Sequence, residues 1–417
     1  MKSLAWLDAA LFIPLTFFLF LIAVTSGITN IQTDAIDYYA IVQRLVKDTP
    51  PILPDLPFIA QRSPGYPLLT LPVYAALRLA PEGQIEPALS PRAGQENQFS
   101  SEQVFLPPHP LRLNEIFFRN FNLGGEAGIF RWQIITAMLF TSYGLFFSGL
   151  FAIAHLLVRL YHPLPGYSLT PLTVMTSTVF LHNWVQTPSY ATLTAFGVAC
   201  WVVYAWLLAW KTKTAWAQAA SGAAIGMLVL VRLETIVLVA VGFVSIWCMR
   251  QWQFLGWFIA GGLIPLALLI TYNSLLFGNP FHAGILRGNL NILVLEPKYV
   301  LAGLVGLKSG LLWHSMLIMA GLAGLLTSRQ VHLQTLGWAG AALVGLVLLR
   351  VPVMYFCIGQ GTQVVEGVLI SCPPNWEAFL QLIRWDVNRY VIPLAPFAVL
   401  GLREMIHLPS QMRETKV

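Results

Sequence analysis

Two aspartates three residues apart, followed at once by a pair of tyrosines, are the residues of this chain best suited to acid–base chemistry. They lie in Thr33-Asp34-Ala35-Ile36-Asp37-Tyr38-Tyr39, directly after the first long apolar stretch. On a helix Asp34 and Asp37 share a face, and Tyr38 stands one turn after Asp34. A carboxylate held at the mouth of a membrane span is partly desolvated. That raises its proton affinity and suits it to act as a general base. The same residues also read as an ordinary helix start, in which Asp caps the first turn and favours the helix dipole.

A second segment, Gln61-Arg62-Ser63-Pro64-Gly65-Tyr66-Pro67, adds a cation, a rigid bend and an aromatic ring ahead of an apolar run. Farther on, Arg232 and Glu234 interrupt a long apolar stretch, and Arg389-Tyr390 precede the last one. Arginine suits a phosphate because its planar fork presents two donors to two oxygens. The alternatives are a mutual or interfacial ion pair for Arg232 and Glu234, and a loop-to-helix corner for Arg62 to Pro67. Tyr272-Asn273 with Phe277-Gly278-Asn279-Pro280 reads as a turn closing an apolar stretch. Lys308 and His314 stand alone and read as structural.

The elements that must position these residues are membrane spans. The chain has 417 residues, 57% hydrophobic and 10% charged, with a mean hydropathy of +0.68. Soluble domains carry about 25% charged residues, so the expected class is an all-α, polytopic membrane protein. The net charge of +6 has no Lys/Arg run behind it and does not suggest a nucleic-acid partner. Apolar stretches of spanning length lie near 9–28, 133–157, 168–187, 190–210, 252–272, 309–327, 334–356 and 390–407. The stretch 216–249 is too long for one span, and it divides at Arg232 and Glu234 into 216–231 and 233–249. This makes about ten spans. The first reads as a retained signal anchor, because its apolar core is too long for a cleaved leader and no A-x-A site follows.

Placing the N-terminus in the cytoplasm puts Lys2, Arg159, Lys211, Lys213, Arg250, Arg329, Arg403, Arg413 and Lys416 inside, against Asp8, Glu404 and Glu414. Every short inner loop then holds a Lys or Arg, as the positive-inside rule requires. The first extracytoplasmic loop would cover 29–131 and the last 357–389, within one domain, 1–417. Residues 65–80 are apolar but too short to span, and read as an interfacial or re-entrant helix. Residues 113–130 read as a second, and 81–112 as a polar insertion. Cys357 and Cys372 share the last outer loop and could pair there in an oxidising compartment, whereas Cys200 and Cys248 fall in spans and read as packing residues.

Taken together, these pieces resemble the GT-C superfamily of integral-membrane glycosyltransferases. The nearer likeness is to the branch containing protein O-mannosyltransferases and the lipid A aminoarabinose transferase. The likeness rests on Asp34-Ala35 with Tyr38 and Tyr39, Arg62-Ser-Pro-Gly-Tyr-Pro67, Val231-Arg232-Leu233-Glu234, Tyr272-Asn273 with Phe277 to Pro280, and Asn388-Arg389-Tyr390 with Pro393 and Pro396. Each motif is short, and their joint order along a polytopic chain carries the resemblance. It implies a sugar donor on a polyprenyl phosphate at the outer leaflet, an acidic base acting on an acceptor hydroxyl, and inversion at the anomeric carbon. It places Asp34 as base, with Asp37 as its neighbour or as the base itself. Arg232, Arg389 and then Arg62 would take the donor phosphate, and Tyr38, Tyr39, Tyr66, Glu234 and Tyr390 would line the substrate pocket.

The residues name no particular cofactor; two neighbouring aspartates could hold a divalent cation, but nothing completes a ligand set, so metal dependence stays open. The acceptor would be a glycan, a lipid or a protein, and the setting a bacterial plasma membrane with its site facing outward. Many relatives have His-Pro-Pro where this chain has Ser63-Pro64-Gly65, so no catalytic role carries over to that segment. The rival class is a transporter or flippase for a lipid-linked or anionic substrate. It predicts acids at mid-bilayer and an internal repeat, whereas here the acids crowd one face and no repeat is evident. Lipid-linked glycan polymerases and ligases are a further alternative, but they place their key loop late in the chain.

Overall fold

The computed structural model describes residues 2–26, 33–46, 62–79, 132–160, 171, 191–281, 297–305, 311–358, 364–365, 368–369 and 391–414. In chain order these form α1 (Lys2–Ser26), α2 (Thr33–Leu45), α3 (Gly65–Leu79), α4 (Trp132–Leu160), α5 (Ala191–Thr212) and α6 (Ala215–Val231). A 3-10 turn (Leu233–Thr235) leads into α7 (Ile236–Cys248), α8 (Trp252–Phe277), α9 (Pro297–Val305), α10 (Leu311–His314), α11 (Met316–Leu326) and α12 (Val331–Ile358). A second 3-10 turn (Ile392–Leu394) opens α13 (Ala395–Glu414). The described residues outside helices and turns include a minimal antiparallel pair, β1 (Val364–Val365) with β2 (Val368–Leu369).

Among the described residues, four stretches are long and apolar enough to cross a membrane: Thr136–Arg159, Ala191–Thr212, Trp252–Phe277 and Val331–Leu349. α8 turns Ile259, Leu263, Ile264, Leu266 and Leu268 outward, an apolar face that a water-soluble protein would cover. This is the architecture of an integral membrane helix bundle. α5 is its centre, with 78% of its apolar window buried, and α8 its periphery, with 28%. Around α5, Trp206 packs its ring against Trp210, Phe254 and Phe258, and donates its indole N–H to the His332 carbonyl at 3.1 Å.

Close helix contacts give the direction of each neighbour. Ser142 and Thr194 are 3.3 Å apart, Gly197 lies against Leu145, and Gly149 lies against Cys200. Equal steps forward on both helices mean that α4 and α5 run parallel. Likewise α6 and α8 are parallel, through Gly222 on the Phe258 carbonyl and Gly226 on the Pro265 ring. α11 and α13 are parallel through Gly321 on Ala398 and Gly324 on Gly401. By contrast, α11 and α12 are antiparallel, through Gly337 on Leu325 and Gly340 on Leu322. Glycine recurs at these seams because helices in lipid gain from close backbone approach, not from hiding oil from water.

The expected break at Arg232 is present. Arg232 takes an extended conformation (φ −143°, ψ 100°), its N–H still donating to Leu228 O at 2.8 Å. Thr235 closes the turn by donating both its N–H (3.0 Å) and its hydroxyl (2.7 Å) to the Arg232 carbonyl. At the other end of the bundle the turns pass through Lys213 and Arg250, both with φ of 55°.

α3 matches the short apolar helix expected at 65–80. Cys200 is buried, as a packing residue should be, but Cys248 is exposed at the end of α7 and does not pack into the core. Cys357 falls inside α12, which runs on to Ile358 instead of ending before the outer loop. Its side chain and Cys372 lie outside what is described. So do the span at 168–187 (apart from Pro171), the helix at 113–130, the insertion at 81–112, and Lys308. Leu160 and Ala191, which border the first of these gaps, stand at opposite ends of the parallel pair. α4 runs about 27 Å past Ser142 before it ends.

Candidate functional site

The site builds up at the end of the bundle where α4 and α5 begin and α6 and α8 finish. Arg232 leaves the C-terminus of α6 and donates from Nη2 to Thr192 Oγ1, in the first turn of α5, at 2.7 Å. The arginine is half-buried, so its charge stands close to helix ends and not in open water. Glu234, in the 3-10 turn beyond it, is also half-buried.

Pro64, Gly65, Tyr66 and Pro67 are all buried, while Arg62 and Ser63 are half-buried. Gly65 allows this segment to touch the same corner. A Cβ on it would lie 2.5 Å from Leu230 C and Val231 N. The backbone of α3 therefore begins directly against Leu230 and Val231, the residues that precede Arg232. Tyr66 then turns inward. Its hydroxyl donates to the Met138 carbonyl at 2.9 Å and accepts from Ser142 Oγ at 2.9 Å, and Ser142 continues to Thr194 Oγ1. This chain of hydroxyls joins α3, α4 and α5. Burial pushes the Tyr66 phenol well above its ordinary value, a larger effect than the opposing hydrogen bond from Ser142. Tyr66 therefore stays a neutral donor across the physiological range. Because this network is closed, Tyr66→Phe should lower bundle stability by about 1–2 kcal/mol. The check is the thermal midpoint in detergent, and an unchanged midpoint would mean that the hydroxyl chain holds nothing.

α2 docks onto α3, α4 and α8. Its buried side is Tyr38, Tyr39, Ala40, Ile41 and Val42, with Tyr39 only 1% exposed. The Tyr38 and Tyr66 rings meet edge to face with centroids 5.2 Å apart. Asp34 and Asp37 belong to the first half of α2, so the segment expected to carry the base is helical and anchored by its tyrosines. The two carboxylate side chains lie outside the described ones. Tyr272, at the end of α8, is buried and within electrostatic reach of Tyr38. Asn273 beside it donates to the Pro280 carbonyl at 3.2 Å, folding the turn that Gly278 makes possible at φ 67°.

The structure thus brings together four of the five separated motifs: α2, the Arg62–Pro67 segment, the Arg232 corner and the end of α8. The fifth, Arg389 with Tyr390, lies outside the described residues. Val391, the next residue, is buried, and Ile392–Leu394 packs against α5. Among the described residues no group of three or more His, Cys, Asp or Glu could hold a metal ion.

Thr192, Ser142 and Thr194 were missed by the sequence reading. Single hydroxyls in apolar helices usually bond their own backbone, as Thr141 does to Ala137 O. Nothing local marked these three as cross-helix partners. No family model, no curated protein and no solved structure matches this chain.

Proposed function

We propose that this protein is an integral-membrane enzyme acting at one membrane face, with about ten spans and its site at the extracytoplasmic rim. Within that class we read it as a glycosyltransferase that moves a sugar from a polyprenyl-phosphate donor to an acceptor hydroxyl. The carrying observation is the convergence on one rim of an Asp-bearing helix, a half-buried arginine and a set of buried tyrosines from distant parts of the chain. The alternation of helix direction expected for ten spans agrees with the parallel and antiparallel pairs described above. A lipid-phosphate sugar has its cleavable bond at headgroup height, which is where an interfacial acid and arginine can reach it.

In this reading the acceptor hydroxyl gives its proton to Asp34, or to Asp37, as its oxygen bonds to the anomeric carbon. The bond from that carbon to the phosphate oxygen breaks on the opposite face, and configuration inverts. Charge grows on the departing phosphate, and that is where a fixed cation is worth most. Arg232 is the first candidate, followed by Arg389 and Arg62. Glu234 and Tyr390 would line the substrate pocket, and the buried Tyr38, Tyr39 and Tyr66 would stand behind it as its supporting wall.

The direct test is mass spectrometry of glycolipids and glycoproteins from a deletion strain, with sugar transfer from a synthetic polyprenyl-phosphate donor measured in membranes. A product set identical to wild type, with no transfer in vitro, would overturn the reading. Arg232→Ala should raise the KM for the donor about ten- to a hundredfold, the range expected for one charge-assisted contact. Unchanged donor dependence would remove Arg232 from the site.

A further inference from the structure

We propose that Tyr272 is a ligand-binding residue whose hydroxyl donates a hydrogen bond to a phosphate oxygen of the lipid-linked substrate. The proposal rests on the transferase reading above, and it concerns a residue that the sequence reading placed in a turn and in a motif of the resemblance but gave no role in the site.

Tyr272 is 1% exposed, yet its hydroxyl has no hydrogen-bond partner among the described residues. Buried hydroxyls are normally satisfied, and one left without a partner is costly. Tyr66, across the same cluster, shows the ordinary state, with its oxygen both donating and accepting. The Tyr272 ring has little freedom to swing out and find water. Phe277 packs on it edge to face at 6.1 Å, and Asn273 fastens the following turn through Pro280.

Its place in the fold points to the site. α8 contacts α2, and Tyr38 lies within electrostatic reach of Tyr272 while touching Tyr66. α6 and α8 run parallel, with Gly226 against Pro265. Counting onward along both helices, Arg232 and Tyr272 each stand about 10 Å beyond that contact. They therefore share a level at the rim. One charged donor and one neutral donor at a common height suit a phosphate. The arginine balances the charge, and the phenol fixes an oxygen without adding a second cation. A phosphate could also arrive as a free anion, so the test separates the two sources.

Tyr272→Phe decides the matter, because it removes only the oxygen. Binding of a short-chain polyprenyl phosphate, the corresponding polyprenol and inorganic phosphate would be measured on the purified full chain, together with the thermal midpoint. The expected result is polyprenyl-phosphate affinity about tenfold weaker in the variant, polyprenol affinity unchanged, and a midpoint equal to wild type or higher. Unchanged polyprenyl-phosphate affinity, or a lowered midpoint, would make the hydroxyl a structural group and overturn the proposal. Inorganic phosphate binding as tightly as the lipid form would overturn the lipid-linked assignment. Wild type failing to distinguish polyprenyl phosphate from polyprenol would instead overturn the transferase reading itself, and this proposal with it.

Discussion

Asp34→Asn should reduce sugar transfer by at least about 100-fold while leaving the protein in the membrane at wild-type level. The size follows from what a positioned general base contributes, about 10² to 10⁴ in rate. The amide has the carboxylate's shape but cannot take the acceptor's proton. The fold should survive because α2 is held by Tyr38, Tyr39, Ile41 and Val42, all buried and all downstream of the change. Asp37→Asn separates the two roles. If Asp34 is the base, the Asp37 variant keeps substantial turnover. If Asp37 is the base, the ranking reverses. Full activity in both variants would remove the acid from the mechanism. The assay is initial rate with a polyprenyl-phosphate sugar, alongside a fluorescence-detected elution profile to confirm folding.

Helix extents were largely readable because a lipid-embedded segment is bounded by what lipid excludes. α5 was expected at 190–210 and is Ala191–Thr212, and α8 at 252–272 runs on to Phe277, stopping where Gly278 takes the left-handed conformation. The division of 216–249 rested on Arg232 and Glu234, and the extended Arg232 backbone lies between α6 and α7. Helices overrun the apolar stretch at their ends. α1 begins at Lys2, because hydropathy measures bilayer thickness and not backbone hydrogen bonding. Proline did not mark ends either. Pro14, Pro72 and Pro265 lie inside helices, and Pro265 sits against Gly226.

Which helices touch was not readable. In a soluble helix the apolar stripe names the buried side. Here both sides are apolar: α8 exposes Leu263 and Ile264 while burying Phe258 and Gly261. The parallel pairing of α4 with α5, and the Thr192 partner of Arg232, follow from packing alone. For the site, residue types and their order were visible, but the corner that joins them was not. Gly65 reads as a turn residue in Ser-Pro-Gly, whereas its role in the structure is to let one backbone press on another.

That corner yields the second large expected effect. Gly65→Val should cut transfer by about 100-fold, the scale on which a misplacement of roughly 1 Å acts in a positioned site. The obstacles to a side chain at this position are Leu230 C and Val231 N at 2.5 Å and Leu230 O at 2.8 Å. All three are backbone atoms of α6 and cannot rotate aside. The N-terminus of α3 must back away, taking Tyr66 from the Met138 carbonyl and the Arg62–Pro67 segment from its seat on the end of α6. The α6–α8 and α11–α13 seams lie elsewhere and stay closed, so the bundle should still assemble. Gly144→Ala on α4 is the matched control: a Cβ there meets nothing within 4 Å, and alanine is the better helix former. It should keep full turnover. Wild-type rates in Gly65→Val would mean that the α3–α6 contact is packing only, and that the arginine acts without the segment pressed against it. A large loss in Gly65→Val with elution unchanged would tie the first loop and the Arg232 break into one working surface, which neither segment shows when read alone.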